Sequence, residues 1–415
     1  MQTVIGLPKI AGNPNKLAEL ILQPVAGIPL LLRTVLTASR AGADDVVLIC
    51  PESLTDEPVQ RFLQEMRDKY GMQIKVLCVS NFDPRASSSW TELKPELNDQ
   101  FLWIPWNWVT TKQFLTNLPL LDMDSVDWAR PACVAMHEVN RDAISSFLLR
   151  AEGIAVTSPK SIARAERFLV AHSGKVLDGV HTSFNRRLCR PFVRWLSHTS
   201  ITPNAVTFGG VLVSVLSALA FAHGSYWYSL LGGVLFYIAG LFDEMDGMLA
   251  RVKFAESPWG TWLESLADGV SYILLFGGIT IGLYRRYGRI AIWIGVALLI
   301  GAVLALVTTS LQRRLATTAD RPSEYRGRIY QLLEKDSGNW ISRSAQQLEF
   351  FVRRGVLIHY VFLFTLIGAL PVLFCLAVLG SHLTWILTLY FNRRFFTHSA
   401  RSGATPNAST FKEAL

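Results

Sequence analysis

The chain has 415 residues, 50% hydrophobic and 17% charged, with a formal net charge of +8 and a mean hydropathy of +0.29. That length suits two domains better than one, and the composition points to a membrane protein, though not uniformly along the chain. The positive charge calls for no nucleic acid, since Lys and Arg gather at cytoplasmic helix ends and no RNA- or DNA-binding motif occurs, so no nucleic-acid partner is expected. Cys50, Cys78, Cys133, Cys189 and Cys375 are scattered and odd in number, without a CxxC. They suggest neither a zinc site nor a disulfide framework, and fit a reducing compartment.

The start, MQTVIGLPKIAGNPNK, lacks a basic segment followed by a long apolar run, so no signal peptide is expected there. The front of the chain then alternates strand-like and helix-like pieces. VVLIC (46–50) and IKVLCVS (74–80) are short, β-branched-rich runs of the kind that form buried parallel strands. IPLLLRTVLTASRAGA (28–43) has helical periodicity and reaches Gly42, a candidate C-cap. QFLWIP (100–105) reads as a further strand and TKQFLTNL (111–118) as the helix after it. Residues 1–155 are therefore expected to form a layered α/β domain. Ser158-Pro159 opens a helix over 161–173. Within the linker 156–200, RRLCRPFVRWL (186–196) alternates basic and apolar residues and predicts an amphipathic helix lying along the membrane interface.

The rest of the chain holds long uncharged runs. They predict spans over 205–222, 225–242, about 262–284 and 290–312, then a charge-free run, 355–392, that splits near Pro371 into two more. The expected membrane domain is all-α, with six helices over 201–396, followed by a disordered tail, 397–415. Arg186, Arg187, Arg190 and Arg194 precede the first span. Arg251 and Lys253 follow the second, Arg313, Arg314, Arg321, Arg326 and Arg328 the fourth, and Arg393 and Arg394 the sixth. An even number of crossings puts all of these, and the front domain, on the cytoplasmic side of a cell or inner membrane, against three arginines in YRRYGR (284–289).

One stretch, DEMDGMLARVKFAESPWGTWLESLAD (243–268), sets acids beside these apolar runs. Asp243 and Asp246 share one helical face at the end of the second span, and Glu264 and Asp268 share one at the start of the third. An antiparallel hairpin lets the two faces meet. Four carboxylates at close quarters stay ionised only with cations between them, and an all-oxygen set suits Mg²⁺ or Mn²⁺. Gly247 and Ala250 leave room for a ligand near the backbone, Gly260 falls in the connection, and Arg251 and Lys253 offer charge to phosphate oxygens. The same acids would serve as plain helix caps in the headgroup layer, as a transporter's cation path, or in a non-catalytic scaffold.

The stretch resembles the signature of the CDP-alcohol phosphotransferase family, D-x2-D-G-x2-A-R-x8-G-x3-D-x3-D. Asp243, Asp246, Gly247, Ala250, Arg251, Gly260 and Asp268 match in type and spacing, and only Glu264 departs, standing where the family has its third Asp. Upstream, Thr202-Pro203-Asn204 and Thr207 match a shared ITPNxxT element, and residues 178–207 look like the approach to the first span in members with an N-terminal nucleotidyltransferase-like domain, among them enzymes that make inositol-phosphate phosphodiesters. The resemblance implies six membrane helices, a CDP-alcohol donor, a hydroxyl acceptor and release of CMP. It implies Asp243, Asp246, Glu264 and Asp268 as ligands of two metal ions, Asp268 also as base on the acceptor, and Gly247, Ala250, Arg251, Gly260, Asn204, Thr207 and Lys253 around the nucleotide and its phosphates.

LQPVAGIPLLLRTVLTASRAGADDVVLIC (22–50) resembles the segment after the glycine-rich loop of sugar-type nucleotidyltransferases, which implies a Rossmann-like front domain. GLPKIAGNPNK is a poor phosphate loop, however, and WIPWNW (103–108) stands where a metal-binding Asp ends a strand, so a degenerate, non-catalytic domain is expected, with Lys9 and Lys16 on its surface. Gly278 and Gly282 form a GxxxG that serves either helix packing or a homodimer. His359 and His382, within apolar runs, read as structural histidines.

Overall fold

The computed structural model of the chain describes residues 1–7, 19–50, 57–70, 73–79, 82–123, 126–136, 152–174, 180–316, 329, 331–334, 336, 338–343 and 354–401. Lys9 and Lys16, three of the arginines after the fourth span, and all of the expected tail beyond Arg401 lie outside the described residues. Two units separate. One comprises Met1–Asp178, Arg186–Pro203 and Met245–Ser257, the other Gly179–Asn185, Asn204–Glu244 and Pro258–Leu415.

The first unit is α/β. Its elements run β1 (Gln2–Gly6), β2 (Pro24–Val25), β3 (Ile28–Pro29), α1 (Leu30–Arg40), β4 (Asp45–Cys50), α2 (Glu57–Tyr70), β5 (Gln73–Cys78), α3 (Ser87–Leu93), β6 (Gln100–Trp103), β7 (Trp108–Thr110), α4 (Lys112–Thr116), β8 (Leu120–Asp122), β9 (Ala132–Ala135), β10 (Gly153–Ala155) and α5 (Pro159–Ala171). The main sheet has the order β5-β4-β1-β6-β9-β8. β5, β4, β1 and β6 are parallel, and β9 turns antiparallel against β6. The unbroken apolar run of β4 follows from cover on both faces: Val46 and Leu48 enter one core cluster, Val47 and Ile49 the other. α5 starts on a capping box between Ser158 and Ser161.

β1 and β6 are neighbours whose C-terminal ends flank the point where strand order reverses, the usual ligand crevice of such sheets. Here the crevice floor is aromatic. Trp103 is 3% exposed, and a Cβ added to Gly6 would meet its ring at 2.5 Å. Its indole Nε1 donates to Trp128 O at 3.0 Å, and Trp90 stacks on Trp128 at 4.8 Å.

α6 (Val180–Ser197) and α8 (Tyr226–Val252) contribute residues to both units. The second unit also holds α7 (Pro203–His223), α9 (Pro258–Tyr287), α10 (Arg289–Ala316), α11 (Arg354–Leu366) and α12 (Leu370–Arg401). Among the described residues, five helices are long and apolar enough to cross a bilayer: α7, α8, α9, α10 and the stretch Leu370–Phe395 of α12. The protein is an integral membrane protein. A sixth span is not confirmed: the described part of α11 has 13 residues, and at ~1.5 Å per residue that length alone falls short of the ~30 Å hydrocarbon core. The segment before it, 344–353, where an earlier start was expected, lies outside the described residues. The break between α11 and α12 falls at Gly368, with φ of 71°, and Pro371 sits in the first turn of α12, where proline costs no hydrogen bond.

α6 has the expected amphipathic character in a particular form. Cys189, Val193 and Leu196 are buried, while Phe184, Leu188, Phe192 and Trp195 make an exposed apolar stripe flanked by exposed Arg187 and Arg190. Gly278 and Gly282 are spent inside the chain: added Cβ atoms would meet Ala218 O at 2.5 Å and Phe221 O at 2.1 Å, both on α7. The GxxxG is an α7–α9 packing face. His382 is structural, as expected, with Nε2 at 3.0 Å from Ala297 O and Nδ1 accepting from Trp385 Nε1 at 3.1 Å. His359 Nε2 stands 3.4 Å from the Tyr237 hydroxyl, which donates to Asn185 Oδ1 at 3.1 Å.

Candidate active site

The acidic stretch spans the end of α8, a short connection and the first turns of α9. α8 continues ten residues past the apolar run that ends at 242, so Asp243 and Asp246 stand on a continuous helix and share a face, as expected. Asp246 is 4% exposed, beside buried Met245 and Leu249; Asp243 is half-buried. Pro258 opens α9, placing Gly260 in its first turn and Glu264 and Asp268 one turn apart. Both are half-buried, and Asp246 and Asp268 each bury their Oδ1 atom. The sequence reading missed Tyr272. It lies one turn beyond Asp268 on α9, and the i+4 spacing from Asp268 was the available signal.

The donor set is all carboxylate, which fits a hard divalent cation. Among the described residues, however, no three His, Cys, Asp or Glu side chains are grouped closely enough to hold a metal ion. The fit is therefore one of donor chemistry and helical spacing.

The basic residues are engaged with the main chain. Arg251 Nε donates to Ser173 O, and its guanidinium folds back over Gly247, where an added Cβ would lie 3.4 Å from Nη2. Lys253 Nζ donates to Thr199 O at 2.6 Å and Ile201 O at 2.8 Å, and burial pulls its pKa below the ordinary lysine value. It thereby ties down the link between α6 and α7. The carbonyl of Ala250 accepts from Ala255 N at 2.8 Å, a bond that closes the C-terminus of α8 around Phe254, whose φ is 54°. Asn204 is exposed at the start of α7, and Thr207 is half-buried one turn on.

Comparison with known proteins places this stretch in context. A family model described as CDP-alcohol phosphatidyltransferase matches residues 200–333, which contain the whole acidic motif and both Asn204 and Thr207. A bifunctional IPC transferase and DIPP synthase of Aquifex aeolicus is 25% identical over 237 residues, covering 57% of this chain and 49% of the relative. A protein of the same name from Thermococcus kodakarensis is 33% identical over 162 residues, 37% of this chain and 34% of the relative. A phosphatidylinositol phosphate synthase of Mycobacteroides abscessus is 25% identical over 126 residues, 30% of this chain and 53% of the relative. The chain thus spans about half the length, or less, of these curated relatives.

Proposed function

Because residues 200–333 form a CDP-alcohol phosphatidyltransferase domain, we propose that the protein is an integral-membrane CDP-alcohol phosphotransferase that moves a substituted phosphate from a CDP-alcohol to an acceptor hydroxyl and releases CMP. The observation that carries the reading is the motif itself. Asp243, Asp246, Gly247, Ala250, Arg251, Gly260 and Asp268 keep the family's spacing, on two consecutive helices interrupted only by a short connection. Three relatives are named for inositol-phosphate chemistry, which favours an inositol-type acceptor or donor in phospholipid or phosphodiester synthesis.

In this reading the acceptor oxygen attacks the phosphorus that bears the donor alcohol, and the bond from that phosphorus to the CMP oxygen breaks. Asp268 takes the proton of the acceptor hydroxyl at its carboxylate. Asp243, Asp246, Glu264 and Asp268 would hold the divalent ions, Mg²⁺ or Mn²⁺ and two in number, whose chemistry when bound is to neutralise charge on the phosphate oxygens. Glu264 keeps the carboxylate with one more methylene of reach. Gly247 and Ala250 leave the α8 backbone accessible to the cytidine, with Gly260, Asn204 and Thr207 around it. Arg251 and Lys253, held on main-chain carbonyls, contribute positive charge at the end of α8.

The front domain is read as non-catalytic, supported by the Trp103 ring lying over Gly6 where a nucleotide's phosphates would need open backbone. A cytoplasmic orientation rests on the excess of Lys and Arg at the ends of α6, α8, α10 and α12. Asp336, soon after α10, makes a two-pronged ion pair with Arg394 at the end of α12, at 2.8 and 2.9 Å. That pair supports α11 as the short remaining crossing, since the chain must return to the same side between them.

The test uses purified full-length protein in lipid with a panel of CDP-alcohols and hydroxyl acceptors, reading CMP release and product mass. Release that is abolished by chelation, restored by Mg²⁺ or Mn²⁺, and lost by about 10²–10⁴-fold in Asp268→Asn is expected. No CMP from any donor sinks the reading; ion flux in liposomes that Asp268→Asn abolishes would instead favour the transporter.

A further inference from the structure

The end of α8 packs as part of the α/β unit, and one buried cation reaches it. We infer that Arg33 of α1 is a positioning residue for the acidic motif: its guanidinium grips the C-terminus of α8 at Val252 and Phe254 and so fixes the last turns of that helix, which carry Asp246 and Arg251. The inference rests on the proposed transferase reading for its catalytic consequence, and on contacts within one unit for its geometry.

Arg33 is 2% exposed. Its Nε donates to Val25 O at 3.1 Å, and its Nη2 to Ala26 O at 3.5 Å and Val252 O at 3.0 Å. Every one of these acceptors is a main-chain carbonyl. Val252 is the last residue of α8, so the cation meets a carbonyl that the helix itself leaves unsatisfied, at the negative end of the helix dipole. Burial pushes the guanidinium down to about 9, with Glu166 pulling it back up, and it stays a cation at neutral pH.

A second contact is aromatic. The guanidinium carbons of Arg33 and Arg40 lie 5.2 and 4.6 Å from the centre of the Phe254 ring. Arg40 also pairs with Glu256 at 2.5 Å. Phe254 occupies a left-handed conformation that favours glycine. Among the described residues the only other non-glycine with positive φ is Ala26, at 50°. Its N–H donates to Glu166 Oε1 at 3.2 Å, and its carbonyl receives Arg33. Both strained residues therefore touch the same guanidinium. A bulky Phe keeps this backbone with its ring held by the two guanidinium groups, and local strain kept in place by surrounding contacts clusters at functional positions.

Hydrogen exchange and kinetics on full-length protein in lipid test this. In Arg33→Met, amides over 245–257 are expected to exchange at least tenfold faster while those of β4 and β6 keep wild-type rates. CMP release is expected to fall on the order of 10²-fold in kcat, with a raised metal concentration for half-maximal rate. Arg33→Lys, which keeps the charge and a donor, should recover part of both. A role confined to stability would lower the melting temperature yet leave the surviving enzyme with wild-type KM and metal dependence, and that result overturns the inference. Should Arg33→Met fail to fold, Phe254→Gly decides. Glycine adopts the left-handed cap without strain but removes the ring, so faster exchange over 245–257 and the same kinetic loss are expected; wild-type values of both overturn the inference. If wild-type protein releases no CMP at all, the transferase reading fails separately, and the exchange comparison alone judges the clamp.

Discussion

Replacing Gly282 with alanine probes how α9, the helix that carries Glu264 and Asp268, is seated. The added methyl carbon would stand 2.1 Å from the Phe221 carbonyl oxygen of α7, and ordinary contact begins near 3.4 Å. The obstacle is backbone, so no side-chain rotation relieves it. The helices must part locally by about 1.3 Å, or one must shift along the other, a small-to-large change in a packed interface. Parting loosens Phe221, Leu275 and Ile279, each 1% exposed at this contact. A gap of ~1 Å forfeits a quarter to a half of each dispersion contact, which agrees with the ~1–3 kcal/mol typical of overpacking. At ~2–4 °C per kcal/mol for a unit of this size, the melting temperature should drop by ~2–12 °C. Thermal unfolding in detergent, with size-exclusion chromatography alongside, measures both stability and assembly. An unchanged melting temperature together with a changed oligomeric state would refute the reasoning, because it would make the GxxxG an interface between copies.

Three further outcomes are expected. Glu264→Asp restores the family signature while shortening the side chain by one methylene; a CMP-release rate at a fixed low Mg²⁺ or Mn²⁺ concentration that differs by less than about twofold from wild type would show that the carboxylate's reach is of no consequence there. Burial pushes the Cys50 thiol up to about 12, leaving ~10⁻⁴ of it as thiolate at pH 8, so iodoacetamide with peptide mass spectrometry should mark exposed Cys78 and spare Cys50 until the chain is unfolded. Hydrogen bonds from Arg394 and Ser342 hold the Asp336 carboxyl at about 2. Its folded pKa is depressed, so its contribution is complete above the ordinary carboxylate value of ~3.9 and fades as pH falls through about 2. Asp336→Asn should therefore melt below wild type by a constant margin between neutral pH and pH ~5, and the margin should close on further acidification; a margin that widens in acid contradicts this.

Much of the fold was legible because its signals are local. The apolar runs of β4 and β5, the periodicity of α1 and the Ser-Pro start of α5 each report the environment of their own residues. Hydropathy ends where Asp243 begins, whereas helical hydrogen bonding continues through buried Met248 and Leu249, so the apolar run marks the span but not the full helix. The acids were legible through spacing, and their neighbours were not. Lys253 and Arg251 look like free cations in a string of letters, yet their donors are taken by carbonyls of Thr199, Ile201 and Ser173, residues some 50 to 80 positions away in sequence. Arg33 carried no signal at all, because what it grips is a helix end more than two hundred residues downstream.

The first unit is assembled from three separate pieces of chain, the last of them Met245–Ser257. A ribosome delivers those pieces in order, and α7 and the first two-thirds of α8 emerge between the second and third. The α/β layers can close around their central sheet early, as N-terminal regions generally do during synthesis. The carbonyl that Arg33 takes up at Val252, and the Phe254 ring, arrive only after the first membrane hairpin has been made. Completion of the α/β layers thus waits on the first membrane hairpin, and a chain stalled before residue 252 would leave the Arg33 guanidinium without the helix end it takes up in the full chain.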